Sequence, residues 1–315
     1  MLRERADLAS IWAAADALFP VRVTRSFWDR MNPSDPADPL AVQVLPDPRE
    51  LDTHSSDLED PVGDQARSPL PWVVQKHPDR VLLLLTKRCP LYCRYCFRRT
   101  HHPAAADDPT DAEWEAALRY TEESGAHEVI LSGGDPLSVS DVRLFATMDR
   151  LRPVVPVIRI HTRAPVTHPR RVTPRLVRGL QERGPVWVVV HVNHSAELGG
   201  DVDCALEGLV DAGIPVLNQS VLLRGVNDEV ETLVALCEAL VRRRVLPYYL
   251  HHPDRVSGNA HFRVTLERGW ELYEALRRRV SGVALPAYVI DPPDGSGKVL
   301  VGERIDLACL HRKLN

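Results

Sequence analysis

Val81-Leu-Leu-Leu-Leu-Thr86, running directly into Lys-Arg-Cys89-Pro-Leu-Tyr-Cys93-Arg-Tyr-Cys96-Phe-Arg98-Arg99, is the stretch that decides how the chain is read. An apolar run of strand length without polar alternation belongs to a strand covered on both faces, as in a parallel sheet. Working outward, further runs of this kind occur at 128–132, 154–161, 186–192, 214–222 and 245–250. Between them lie segments of helical period starting near Thr110, Ser140, Thr173, Asp201, Asn227 and Thr265. Thr110 with Glu113 spells a capping box, and Pro174 suits a first helical position. The pattern is six βα units, which must wind doubly or curl into a barrel to cover both strand faces. A short seventh strand, Pro286 to Ile290, leads into a glycine turn and a final valine-rich strand.

The N-terminal part reads differently. Residues 6–19 carry Leu8, Ile11, Trp12, Ala15, Leu18 and Phe19 at helical spacing before Pro20. Residues 33–78 hold nine prolines among many aspartates, so a mostly irregular arm is expected there. Composition excludes several classes of protein. With 315 residues, 44% apolar, 26% charged and a net charge of −4, the chain has ample core and no strong positive field to drive nucleic-acid binding. No apolar run approaches the ~18 residues of a membrane span. Asp7 and Asp16 interrupt what would be the apolar core of an export signal, so a cytoplasmic location is expected. Six cysteines are too sparse for a disulfide scaffold, and three of them lie between 89 and 96.

Three thiolates spaced four and three apart can reach three corners of one cubane iron–sulfur cluster and leave the fourth iron open. A zinc site completed by His101, or three unconnected thiols, are the alternatives. Set in the first βα loop of a parallel repeat, Cys-x-x-x-Cys-x-x-Cys resembles the radical S-adenosylmethionine (SAM) superfamily. The glycines of Leu131-Ser-Gly-Gly-Asp-Pro-Leu137, alone a plain tight turn, resemble the superfamily's glycine-rich strand end. Residues 58–99, Asn218 to Asp228, Pro247-Tyr-Tyr-Leu-His251, His261-Phe-Arg263 and the Asp291 to Lys298 turn are similar to the lysine 2,3-aminomutase family, over about 25–303.

The resemblance implies an α/β fold, a partial (β/α)6 TIM-like barrel at 76–285. An N-terminal helical and irregular arm (1–75) would precede it, and a C-terminal extension carrying a pyridoxal phosphate (PLP) lysine (286–315) would follow. It further implies a [4Fe–4S] cluster on Cys89, Cys93 and Cys96, SAM near Ser132, Gly133, Gly134, Asp135, Gln219 and His251, and PLP held as a Schiff base by Lys298. Arg80 matches an arginine that holds the PLP phosphate, while the family's adjacent Arg-Tyr pair reads here as Lys76-His77. Arg98 matches the clamp for a substrate carboxylate, and Asp254 with Asp291 matches the carboxylates that bind a distal ammonium. The implied activity is conversion of L-lysine to β-lysine: a SAM-derived radical removes the C3 hydrogen, and the nitrogen moves from C2 to C3. An electron donor such as flavodoxin or ferredoxin is implied, with neither nucleic acid nor membrane as partner and with a homo-oligomer open.

Some features depart from the longer lysine enzymes. Glu229 follows Asp228 and only Cys309 lies near the C-terminus, so no structural zinc is expected. Cys204 and Cys237 read as core residues, and His191 with His194 as cavity-lining histidines rather than a metal pair. Cys-Arg-Tyr-Cys-Phe-Arg-Arg and Tyr248-Tyr-Leu-His251 look closer to the branch that supplies β-lysine for elongation factor P, whereas the Asp291 turn looks closer to the free-lysine enzymes. An iron–sulfur electron carrier or redox sensor is the rival from another class. It leaves Lys298, Arg98 and the two aspartates without a task.

Overall fold

A computed structural model describes residues 13–99 and 107–302. His101, Cys309 and the beginning of the first helix lie outside these residues. Nine strands form one sheet in strict chain order: β1 Val73–His77, β2 Arg80–Thr86, β3 Glu128–Gly133, β4 Val157–His161, β5 Val186–His191, β6 Val216–Val221, β7 Leu246–His251, β8 Ala287–Ile290 and β9 Val299–Leu300. Strands β2 to β8 are parallel, while β1 and β9 pair antiparallel at the two edges. Edge strands β1 and β9 are not joined, so the barrel stays open. Crossovers of one hand in strict chain order put the helices on one face, which selects the curled rather than the doubly wound alternative.

Among the described residues six long helices follow β2 to β7: α1 Asp111–Glu123, α2 Asp141–Leu151, α3 Pro174–Glu182, α4 Asp201–Asp211, α5 Val230–Arg242 and α6 Leu266–Arg277, with a short α-helical turn, Ala164–Thr167, after β4. Their starts are set by local chemistry. Thr110 and Glu113 form the reciprocal capping box, and the Ser140, Thr173 and Thr265 hydroxyls accept the orphan N–H groups of α2, α3 and α6. Helix α5 begins three residues past Asn227, because that side chain is engaged in closing the β6 turn onto Leu223, Val221 and Asn193.

Alternation along the strands divides the molecule into two chemistries. One set, including Val81, Leu83, Leu85, Val129, Leu131, Ile158, Ile160, Val188 and Val190, packs on Leu144, Met148, Leu180, Leu206 and Leu240 of the helices. The opposite, inner face of the same strands carries Arg80, Arg159, His161, His191, Gln219, Tyr249 and His251.

The arm is mostly irregular as expected, with one strand: in Val73–His77, Val73 and Val74 pair with Leu83 and Leu82 and are buried despite the flanking prolines. One expectation needs correction. Cys204 is exposed rather than in the core, while Cys237 is buried. Residue 75 lies inside β1, and β8 extends the sheet from β7. The remainder of the arm docks through Phe27, Met31, Leu40, Ala41 and Val44, which bury Leu91 of the cysteine loop.

Candidate active site

The cysteine loop leaves the C-terminal end of β2 and is gripped from several sides. Cys96 N–H donates to Cys93 O at 3.0 Å, tightening the second half of the motif. Burial raises the Cys96 thiol to about 11, with the neighbouring Cys93 adding to it. Burial also raises Cys89, reinforced by Asp135, Cys96 and Cys93. Cys93 thus lies close enough to raise both Cys89 and Cys96. Among the described residues no group of three or more His, Cys, Asp or Glu could hold a single metal ion.

Arg94, between the second and third cysteines, is fully buried. It donates to both Glu50 carboxylate oxygens at 2.9 and 2.5 Å and to Phe19 O at 2.7 Å. Arg99 reaches the same Glu50 at 2.6 Å and Gly258 O at 2.9 Å. A carboxylate from the proline-rich arm thus bridges two buried guanidiniums, offsetting one of their two charges, and ties down the cysteine loop. A lone buried charge would be costly, so the three act as a unit.

At the β3 end, glycine is required by the approach of the cysteine loop. A Cβ on Gly133 (φ +119°) would lie 2.3 Å from Thr86 O, and one on Gly134 would lie 2.4 Å from Arg88 O. The N–H groups of Gly134 and Asp135 donate to Thr86 O and Arg88 O at 2.7 and 2.8 Å. Ser132 is buried beside them. The Asp135 carboxylate accepts from the Thr162 hydroxyl and from the Leu137 and Arg163 N–H groups. Burial pushes its pKa up against these bonds. Asp135 therefore orients the β4 end. On the inner face Gln219 lies level with His191 across β5 and β6. The His191 ring stacks on Tyr95, with Nε2 and the phenol oxygen 2.9 Å apart. His194 instead accepts a backbone N–H from Ala196.

The second centre lies around Lys298. Gly295 and Gly297 adopt φ +69° and +89° in the turn before β9, and a Cβ on Gly297 would meet His77 Nε2 at 2.3 Å. Burial lowers the His77 pKa, and the charges of Arg80, Lys298 and Lys76 lower it further. Four basic groups therefore converge there, although Arg80 also pairs with Asp79 at 3.6 Å. Lys298 Nζ is 3.2 Å from Asp291 and lies over the Tyr249 ring. Burial would raise the Asp291 carboxyl, but His251, 3.5 Å away, and Lys298 hold it well below the usual range. Asp254 behaves oppositely: burial and the charge of Asp291 raise it to about 8. The two aspartates are thus close enough to repel, as a site awaiting a cation would be.

Arg98 sits between the two centres. It donates to Asp64 at 2.7 Å, and Lys76 reaches that carboxylate at 2.8 Å. Sequence reasoning missed Asp64, Glu50, Arg163 and His161. His161 and Arg163 had a usable signal, since they stand at the C-terminal end of a barrel strand, where sites are built. His161 Nε2 is buried on the inner face with no hydrogen-bond partner among the described residues.

Most of the chain resembles known proteins. The Radical SAM superfamily model matches residues 83–237, so fold and cysteine loop define a radical SAM enzyme, a class whose members carry a [4Fe–4S] cluster and SAM. The L-lysine 2,3-aminomutase of Clostridium subterminale is 40% identical over 295 residues, covering 93% of this chain and 71% of that protein. That of Acetoanaerobium sticklandii is 41% identical over 296 residues, with coverage of 93% and 71%. The Bacillus subtilis enzyme is 39% identical over 283 residues, covering 89% of this chain and 60% of its own. This chain belongs to the lysine 2,3-aminomutase family and is an isomerase. No helix among the described residues is long and apolar enough to cross a membrane.

Proposed function

We propose that this enzyme converts L-lysine to β-lysine with a [4Fe–4S] cluster on Cys89, Cys93 and Cys96, SAM beside it, and PLP on Lys298. When bound, the cluster with SAM supplies a carbon radical able to take a C3 hydrogen, and PLP supplies the π-system that lets nitrogen migrate. The single observation that carries the reading is the Lys298–Asp291 pair next to buried Asp254, with Arg98 on the cysteine-loop side.

The residues of this chain have distinct tasks. Lys298, on a glycine turn and about two-fifths exposed, has the freedom to release and recapture a carbonyl group. Lys76, His77 and Arg80 make a basic edge suited to a phosphate. Arg98 presents a planar fork to an α-carboxylate, with Asp64 and the Phe97 ring fixing its plane. Asp254 and Asp291 receive the distal ammonium, whose charge relieves their repulsion and selects against a distal carboxylate. Anaerobically reconstituted, reduced protein with SAM and an amino-acid panel tests the proposal: lysine should give β-lysine, with ornithine, norleucine and glutamate far behind. Borohydride should fix PLP on Lys298. Preference for glutamate, or an active Lys298→Ala variant, would refute the reading.

A further inference from the structure

Arg163 takes no part in the scheme above, yet it makes the most direct polar contact to a candidate cluster ligand. Its guanidinium NH1 donates to Cys93 Sγ at 2.8 Å. NH2 of the same group donates to Glu197 Oε2 at 2.8 Å and to Gln43 Oε1 at 2.7 Å. The Arg163 side chain is 8% exposed and that of Glu197 0%. Nothing in this contact depends on a flexible reach. The Arg163 N–H is fixed by Asp135 at 2.8 Å, and the guanidinium lies over the Tyr95 and Phe27 rings. Glu197 is itself pinned, because Oε1 accepts from the Asn193 N–H at 2.9 Å, the His194 N–H at 3.1 Å and Gln43 at 3.2 Å. A further donor, Arg163 Nε, is buried without a partner among the described residues, an unusual state for a guanidinium N–H.

We infer that Arg163 and Glu197 form an opposed charge pair that sets the reduction potential of the cluster through Cys93. Arg163 acts as the positioning and tuning donor, and Glu197 as the counter-charge that limits it. The inference rests on the cluster assignment made above. Its physical basis is that reduction adds one electron to the cluster and its thiolates. A cation hydrogen-bonded to one sulfur stabilises the reduced form more than the oxidised form, and so raises the potential. Burial removes the solvent that would screen this effect. Glu197, on the far side of the same guanidinium, has the opposite sign and the opposite influence. A purely structural bracket would have no such sign. Either partner's loss would loosen the loop, and both losses would act alike.

The test is an anaerobic redox titration of reconstituted holoenzyme without SAM, read by electron paramagnetic resonance of the reduced cluster, alongside iron counting. Arg163→Gln should lower the potential by at least the ~59 mV that corresponds to a tenfold change in a one-electron equilibrium, at wild-type iron content. Glu197→Gln should raise it. Arg163→Lys, which keeps the charge but not the fork, should fall between wild type and Arg163→Gln. A wild-type potential in iron-loaded Arg163→Gln, or shifts of the same sign in both glutamine variants, would overturn the inference while leaving the cluster assignment intact. If Arg163→Gln fails to load iron, Arg163→Lys decides: a lowered potential supports the tuning role and an unchanged one overturns it. Wild-type protein that binds no iron would instead defeat the cluster assignment, and the inference with it.

Discussion

The cysteine loop follows β2 and the Lys298 turn joins β8 to β9, and they are held in opposite ways. The loop is bracketed by buried charge: Arg94, Arg99 and Glu50 on one side, Arg163 and Glu197 on the other. The turn hangs between β8 and β9 on two left-handed glycines, with its lysine partly exposed and tied mainly to Asp291. A cluster needs ligands that do not move, because its potential and its open iron depend on their placement. A lysine that must exchange its carbonyl partner with substrate needs the reverse. On the proposed function, rigid and yielding anchors coexist on one barrel because a cluster and a PLP group would ask for different mechanics.

The strongest way to break this contrast is to unpin the rigid end. Glu50→Ala would strand two guanidiniums, one fully buried, and should cost about 3 to 5 kcal/mol in stability, as expected for removing one partner of a buried ionic group. Denaturant melts together with iron retention after reconstitution check this, and an iron-loaded variant of wild-type stability would show that the bracket is dispensable. At the yielding end, Asp291→Asn removes the partner of Lys298. It should reduce lysine turnover by roughly 2 to 5 kcal/mol in transition-state terms with the cluster content unchanged. Steady-state kinetics of that variant against its iron content separates the two ends cleanly.

A smaller effect is expected at the turn backbone. Gly297→Ala places a Cβ against His77 and asks an L-residue to hold φ +89°, which should cost about 1 to 2 kcal/mol and lower PLP occupancy without touching the cluster. Absorbance of the bound chromophore reports this directly. The last test uses pH. Burial and the charge of Asp291 push the Asp254 carboxyl up to about 8, so below that value it carries a proton and pairs poorly with an ammonium. Lysine affinity should therefore fall, by up to about tenfold per unit, as pH drops below about 8, and level off above it. Lysine binding measured across that range in wild type and Asp254→Asn checks the sign: the slope should vanish in the variant.

Local pattern was enough for much of the architecture. The β2 run, the six helices with their serine, threonine and proline starts, and the cysteine spacing all depend on neighbours within a few residues. Their periodicity and capping chemistry are written in the order of amino acids. Strand β1 was not legible, since its residues follow a proline-rich tract and their strand character comes from pairing with β2 rather than from an alternating pattern of their own. Cys204 sat in an apolar helical segment, yet which side of α4 met the sheet was settled by packing.

The candidate site divides along the same line. The cysteine triplet, the double glycine and the glycine-flanked lysine stand out as motifs because their chemistry needs fixed short spacings. Glu50 and Asp64 did not, because each is one acidic residue in an arm full of them, distinguished only when the arm folds back and lays it on an arginine 44 or 34 residues away. Arg163 and Glu197 are likewise 34 residues apart in the chain and meet only where β4 and β5 end side by side. What the sequence determined by itself was therefore the set of elements and the short motifs at their ends, for which local sterics and hydrogen bonding suffice. The tertiary structure alone decided which of the many charged side chains lost water and faced one another, because that depends on the path of the whole chain and on the low dielectric it creates.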